Sequence, residues 1–229
     1  MSKTKESKGY FTRATFGFLR ELEANNNRDW FLANKDRFES TVREPFLRFI
    51  ADFSGKLEKI NPHFVADPRP TGGSMMRIYR DIRFSKDKSP YKTWIAAHFY
   101  HHDAPEDSAA PAFYLHIDNQ HCFTAGGLWR PDPLALKRVR DSIVKRPAAW
   151  DTVRRSNLLE DEESTSRPPK GYKSDHPFIE DIKRKSFCAG VQFKASEVCD
   201  AGFLNAYAAA CKRMSPLMKF LTEAVGLDW

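Results

Sequence analysis

From about residue 64 to residue 125 the apolar spacing changes from the three-and-four of a helix to every second position, and the links between the alternating runs are short. Candidate strands are Met75–Tyr79, Trp94–Tyr100, Ala112–Ile117 and Cys122–Ala125. Short links can join antiparallel neighbours, whereas parallel ones need a crossover of a dozen or more residues. A mostly antiparallel sheet is therefore expected. Asp118-Asn119-Gln120 is turn-like and predicts a hairpin between the last two strands. His101–Ala110 reads as a polar loop, and Gly126-Gly127 closes the strand region.

Helical patterns flank this stretch. Phe16, Leu19 and Leu22 share a helix face. Asn25-Asn26-Asn27 breaks that helix, and Asn27 can cap the next, which carries Trp30, Phe31, Lys35, Phe38 and Val42. Pro45 starts or kinks a further helix striped by Phe46, Phe49, Ile50, Phe53 and Leu57, and Asn61-Pro62 ends it. After the sheet, Asp132-Pro133 is a helix start leading to Leu134, Val139 and Ile143. Residues 160–177 look irregular, and Phe187–Phe193 is another strand. Residues 200–225 form an amphipathic helix that Pro216 kinks. The order predicts an α+β fold, with a mostly antiparallel sheet flanked by N-terminal and C-terminal helices. One domain is expected over residues 10–229, behind a frayed tail of residues 1–9. Eighteen Phe and five Trp supply its core. A chain this long buries roughly 70% of its unfolded surface and needs no metal or disulfide to fold.

The net charge of +7 is localised. Residues 69–92 hold seven basic groups and two acids, which is +5 of that total, and residues 1–8 supply the other +2. The rest is neutral, unlike the broadly basic surface of many nucleic-acid proteins. Cys122, Cys188, Cys199 and Cys211 show no C-x-x-C spacing, so they read as reduced, small apolar residues. The polar N-terminus is not a secretory signal, and no apolar run is long enough to span a membrane. A soluble, cytoplasmic protein with no membrane partner is expected.

The segment that breaks local rules is Arg77–Lys92. Read as a strand, it points Met76, Ile78, Ile82 and Phe84 to one face and carries Arg80 there with them, while Arg77, Tyr79, Asp81 and Arg83 face the other way. An unpaired buried guanidinium costs several kcal/mol, so a carboxylate, a wet cleft or a bound anion must compensate. Ser85–Pro90 adds Lys86 and Lys88 around Asp87. Planar Arg donors and mobile Lys charges together suit phosphate or carboxylate groups. Asp81 can orient an arginine, and Tyr91 can stack on a ring. The plain alternative is that Arg80 and Asp81 pair internally and the other cations are a solvated surface.

Here the chain resembles domain of unknown function 2461, a bacterial and fungal family. The resemblance rests on R-x-x-R-D-x-R-F-x-x-x-K-x-x-Y, present as Arg77, Arg80, Asp81, Arg83, Phe84, Lys88 and Tyr91. Asn27-Arg28-Asp29-Trp30-Phe31 with Asn34-Lys35, Gly127-Leu128-Trp129-Arg130-Pro131, and Pro169-Lys170-Gly171-Tyr172 with Asp175-His176-Pro177 support it. It implies one full-length domain and supplies no activity, cofactor or partner.

Other features are weaker. Tyr114, His116 and Asp118 would share a strand face, and His98, His116 and Asp118 could meet around a metal if their strands are neighbours. No metal-ligand signature supports that, and no metal or other cofactor is expected. Gly126-Gly127 could offer N–H groups to a phosphate but reads better as a tight turn. Lys170, Asp175 and His176 lie on a loop that is either a lid bringing an acid or base or a plain connection. No nucleophile motif is present.

The sequence therefore predicts a basic cleft for a small anionic, phosphorylated ligand. Arg77, Arg80, Arg83, Lys88 and Tyr91 are its binding residues, and Asp81, Lys88 and His176 are the catalytic candidates. Phosphoryl or phosphodiester chemistry would suit such donors. A nucleic-acid-binding module would instead join Lys137, Arg138, Arg140, Lys145, Arg146, Arg154 and Arg155 to the segment in one stripe. A purely structural network would match every motif arginine with a carboxylate such as Asp29, Glu39 or Asp81.

Overall fold

A computed structural model describes residues 9–105, 109–156, 159 and 163–229. Most of the expected tail, residues 1–8, lies outside the described residues, as do residues 160–162 of the irregular stretch. Helices α1 (Arg13–Ala24), α2 (Arg28–Ala33), α3 (Lys35–Phe38) and α4 (Glu44–Ile60) come first. Strands β1 (Ile95–Phe99), β2 (Ala112–Ile117) and β3 (Cys122–Leu128) follow. Next are α5 (Pro133–Lys145), α6 (Pro147–Arg155), α7 (Ile179–Ile182) and β4 (Phe187–Phe193). The chain ends with α8 (Ala195–Val198), α9 (Phe203–Arg213) and α10 (Ser215–Val225). The sheet runs β1-β2-β3-β4, antiparallel throughout, so the fold is α+β as the short links require.

Local chemistry explains the helix ends. Asn27 caps α2 by accepting from the Trp30 N–H, and Asp132 caps α5 by accepting from Leu134 and Ala135. A π-helical turn over Glu39–Arg43 leads into α4, with Pro45 in the first turn of α4, where a missing N–H costs nothing. Pro216 likewise begins α10 after a break at Met214, rather than kinking one long helix.

Alternation gives the sheet two faces. Ile95, Ala97, Phe99, Phe113, Leu115, Ile117, Thr124 and Leu128 point to the core, where α9 and α10 pack on β3 and α4 packs on α9. Phe53 meets Phe99 at 4.9 Å and Tyr207 at 4.8 Å between ring centroids, and Phe49 meets Phe203 at 5.6 Å. The other face carries Ala96, His98, Ala112, Tyr114, His116, Phe123, Ala125 and Gly127, and among the described residues no long helix packs extensively on it.

Two expectations are corrected. Met75–Tyr79 is not a strand; it touches the sheet only through the Met75–Ala97 bridge and meets Tyr91 through Tyr79. Gly126-Gly127 is no turn: both residues lie within β3, opposite Phe113 and Ala112. Close approach requires glycine there, since a Cβ on Gly127 (φ +147°) would lie 2.1 Å from the Phe187 carbonyl oxygen.

Candidate functional site

The segment singled out by its charge folds back on itself. Arg80 N–H donates to the Pro90 carbonyl (2.9 Å) and Lys92 N–H to that of Ile78 (2.8 Å), making a short hairpin. Tyr91 is buried and stacks on Phe31 of α2 with centroids 4.1 Å apart. Asn26 clamps the same residue: its Nδ2 donates to the Tyr91 carbonyl (2.9 Å), and its Oδ1 accepts from the Tyr91 N–H (3.1 Å). The middle Asn of the helix-breaking triplet thus ties the hairpin to the α1–α2 corner.

Beyond Arg80 the strand-like period stops. Asp81 Oδ1 accepts from the Arg83 N–H and Asp87 Oδ1 from the Ser89 N–H, so side chains turn the backbone. Of the expected apolar row, Ile78 is buried, whereas Met76 is exposed and Phe84 is 95% exposed. The Arg80 guanidinium is compensated by Asp87, with Ser85 beside it. Arg83 grips Asp81 through two bonds, of 3.0 and 2.7 Å. The Ser89 hydroxyl and N–H, then Arg80, hold the Asp87 carboxyl far below the usual carboxylate range, and Arg83 holds down that of Asp81.

Four cations of the segment have no carboxylate within 4.0 Å among the described residues: Arg77, Lys86, Lys88 and Lys92. Lys88 Nζ donates to the Ile82 carbonyl (3.0 Å). Lys92 Nζ donates to that of Arg77 (2.9 Å) and sits 4.7 Å from the Trp94 ring centroid. Burial, then the Arg77 charge, pushes its pKa down.

Arg80, Asp81, Tyr91 and Lys92 line one cleft of about 630 Å³, with Glu23, Asn26, Asp87 and Trp94. Of the expected binding residues, the structure brings Arg80 and Tyr91 into this lining, but not Arg77, Arg83 or Lys88. Tyr91 shows it only the margin of a core ring. His176 lies elsewhere, its Nδ1 accepting from the Phe178 N–H, and its loop is tied to α5 by the Tyr172 hydroxyl on Asp141 (2.8 Å). Lys92 and Trp94 were passed over as site residues. Their two-residue spacing, which puts both on one side of an extended chain, was the available signal.

Of the cations proposed for a wider stripe, all but Lys145 have a partner among the described residues, Arg154 with Asp181 at 3.4 Å. Lys137 pairs with Asp141 (2.7 Å), Arg155 with Asp151 (2.6 Å) and Arg146 with Glu223, while Arg138 and Arg140 donate to carbonyls.

On the uncovered sheet face, Tyr114 hydroxyl, His116 and Asp118 form a hydrogen-bonded row. His98 is the cross-strand partner of Tyr114 and does not gather with His116 and Asp118 into a ligand cluster. The residues that could hold a metal are instead His63, His102 and Asp103, whose ligand atoms lie within 4.8 Å of one another. His102 Nδ1 faces the His63 carbonyl at 2.9 Å. None of the four cysteines forms a disulfide, and among the described residues no helix is long and apolar enough to cross a membrane.

One family model, described as a conserved hypothetical protein (DUF2461), matches residues 14–220. No curated protein matches the chain.

Proposed function

The chain belongs to the DUF2461 family over most of its length, and on that premise we propose that the cleft beside the 78–92 hairpin binds a small anionic ligand of the phosphorylated class. The observation that carries the reading is Lys92, a partly buried ammonium that faces the cleft on a carbonyl and an indole ring, with no carboxylate on it. A cation in that setting gains from an anion that restores the interactions lost with water. Arg80 stands in the same lining and supplies planar donors once Asp87 swings off it. The hairpin from Arg77 to Lys92 carries six cations and two acids, an excess of positive charge beside the cleft, although the lining itself sets Glu23, Asp81 and Asp87 against Arg80 and Lys92. Trp94 lines the same cleft, its ring in contact with Lys92 Nζ (4.7 Å) and with the His116 ring (5.1 Å between centroids).

The nucleic-acid reading lacks its stripe of free cations, and the structural-network reading accounts for Arg80 and Arg83 but not for Lys92. A thermal-shift series with inorganic phosphate, AMP, glucose 6-phosphate and a single-stranded oligonucleotide, at low and high salt, separates the three. A phosphate ester at about a hundred times its Kd should raise Tm by roughly 5–10 °C. Lys92→Ala and Arg80→Ala should abolish the shift, and Arg83→Ala should keep it. No shift with any phosphate would overturn the reading. A shift confined to the oligonucleotide and erased by salt would replace it with nucleic-acid binding.

A further inference from the structure

A second cavity, of about 910 Å³, lies over the uncovered sheet face and differs from the cleft in every respect. No charged residue is in its described lining. Its floor is Ala112, Ala125 and Gly127, neighbours on β2 and β3 with almost no side chain. Tyr114, Phe123 and Trp129 stand around that floor, and Met75 and Met76 come in from the segment bridged to β1. The volume is within the range of small-molecule sites, roughly 300–1,000 Å³. A flat floor between aromatic walls admits a planar ring. Methionine, unbranched and polarisable, adapts to its edge.

Trp129 is held in place. Arg130, next in the chain, has φ +45°, a left-handed conformation uncommon outside glycine. Its N–H donates to the Ser186 hydroxyl (2.9 Å), and its guanidinium lies 5.2 Å from the Trp129 ring centroid. The indole is nevertheless 65% exposed, an apolar wall that nothing in the described chain covers.

The polar groups of this cavity have a direction. Asp118 is ionised, because the backbone N–H groups of His121 and Gln120 and the His116 ring stabilise its carboxylate against the opposing effect of burial. The Asp118 carboxylate favours the tautomer with the proton on His116 Nε2, which donates to Asp118 Oδ2 (3.0 Å) and leaves Nδ1 as an acceptor. The Tyr114 hydroxyl therefore spends its proton on Nδ1 (3.1 Å) and can only accept from anything in the cavity. His98, exposed on the same face, also lines the cavity. An uncharged slot with a fixed acceptor selects a neutral ligand that carries a donor.

We infer that the sheet-face cavity binds a neutral, planar hydroxyaromatic molecule of the phenol class, ring over Ala125 and Gly127 and hydroxyl donating to Tyr114, whose own proton is held by the His116–Asp118 pair. This inference is independent of the anion cleft. The probes are β-naphthol and naphthalene, which differ by the hydroxyl, titrated against the whole protein by calorimetry. β-Naphthol should bind about tenfold more tightly, the worth of one hydrogen bond into a dry site. Tyr114→Phe removes only the acceptor. It should leave naphthalene unchanged and bring the ratio to about one. Asp118→Asn, which frees the imidazole tautomer, should lower the ratio part of the way. Trp129→Ala should weaken both probes alike. The inference is overturned if native protein binds neither probe, if the ratio survives Tyr114→Phe, or if binding is indifferent to Trp129→Ala. In the last case the ring sits elsewhere.

Discussion

The cleft and the sheet-face cavity hold their polar groups in opposite ways. In the cleft, charge is dense and much of it is answered locally: Asp87 takes Arg80 and Asp81 takes Arg83, each within seven residues along the chain. In the cavity, the described lining holds no charged residue, and Tyr114 is backed from outside that lining by His116 and the Asp118 carboxylate, a row aligned by the strand itself. Residues two apart on a strand share a face, so β2 and its turn supply the row without any long-range contact. A run of cations conspicuous in sequence can thus be largely occupied with itself, while an ordinary alternation on a half-covered strand aims an acceptor at open space.

The two regions should also fail separately. The cleft depends on Tyr91 as a core ring, not as a wall. Tyr91→Ala removes the stack on Phe31 and should cost about 3–5 kcal/mol in urea unfolding. It should abolish anion binding while the surviving folded protein still takes β-naphthol. If Tyr91→Ala unfolds no more easily than the native protein, the hairpin is not anchored as described.

The cavity depends on Gly127. Gly127→Ala forces a methyl against the Phe187 carbonyl in a backbone conformation that L-residues rarely adopt, and should cost about 3 kcal/mol. The control is Gly126→Ala. There the new methyl meets the flexible Met218 Sδ at 3.1 Å, and the cost should be about 1 kcal/mol. Equal costs would contradict the close approach of β3 and β4.

Asn26→Ala is milder. It deletes both hydrogen bonds to the Tyr91 backbone and should cost about 1–3 kcal/mol. Affinity in the cleft should fall with it, and affinity in the cavity should not. A loss in both would mean that the two sites are mechanically joined.

Much of this was legible in the sequence, and the exceptions have physical causes. The apolar runs bounded by polar or turn residues gave β1, β2 and β4 nearly to the residue, with clear alternation of burial only in the latter part of β2. The strand reading failed at Met75–Tyr79, where only single bridges form, and past Arg80, where Asp81 and Asp87 satisfy the backbone and turn it. Glycine chemistry misled at Gly126-Gly127: the same missing Cβ that permits a turn also permits two strands to approach, and only the position of Phe187 decides between them. Arg80 needs a partner on any strand reading, but the partner is Asp87, seven residues on and past the Phe84 end of that strand. Tyr114, His116 and Asp118 were placed on one face. That they form a directed row depends on the His121 and Gln120 N–H groups that fix Asp118, which a strand period does not encode.

The subtlest separation of the two regions is by alkali. Lys92 has a folded pKa below its unfolded value of 10.5, so the unfolded chain binds more protons in that window and stability rises with pH across it. Burial, with a contribution from Asp118, pushes the Tyr114 hydroxyl up to about 12, so its contribution runs the other way and is lost between about pH 10 and about pH 12. The two contributions to stability have opposite signs and successive ranges, and binding separates them further. Anion affinity should fall as Lys92 loses its proton, and β-naphthol's own ionisation complicates the other arm, so naphthalene serves as the cavity probe there. Naphthalene carries no charge, so its affinity should hold through the range in which the anion is released. Parallel loss of both affinities below pH 10 would mean that Lys92 holds the whole open side of the molecule together, and the distinction between a charged cleft and a neutral cavity would fall.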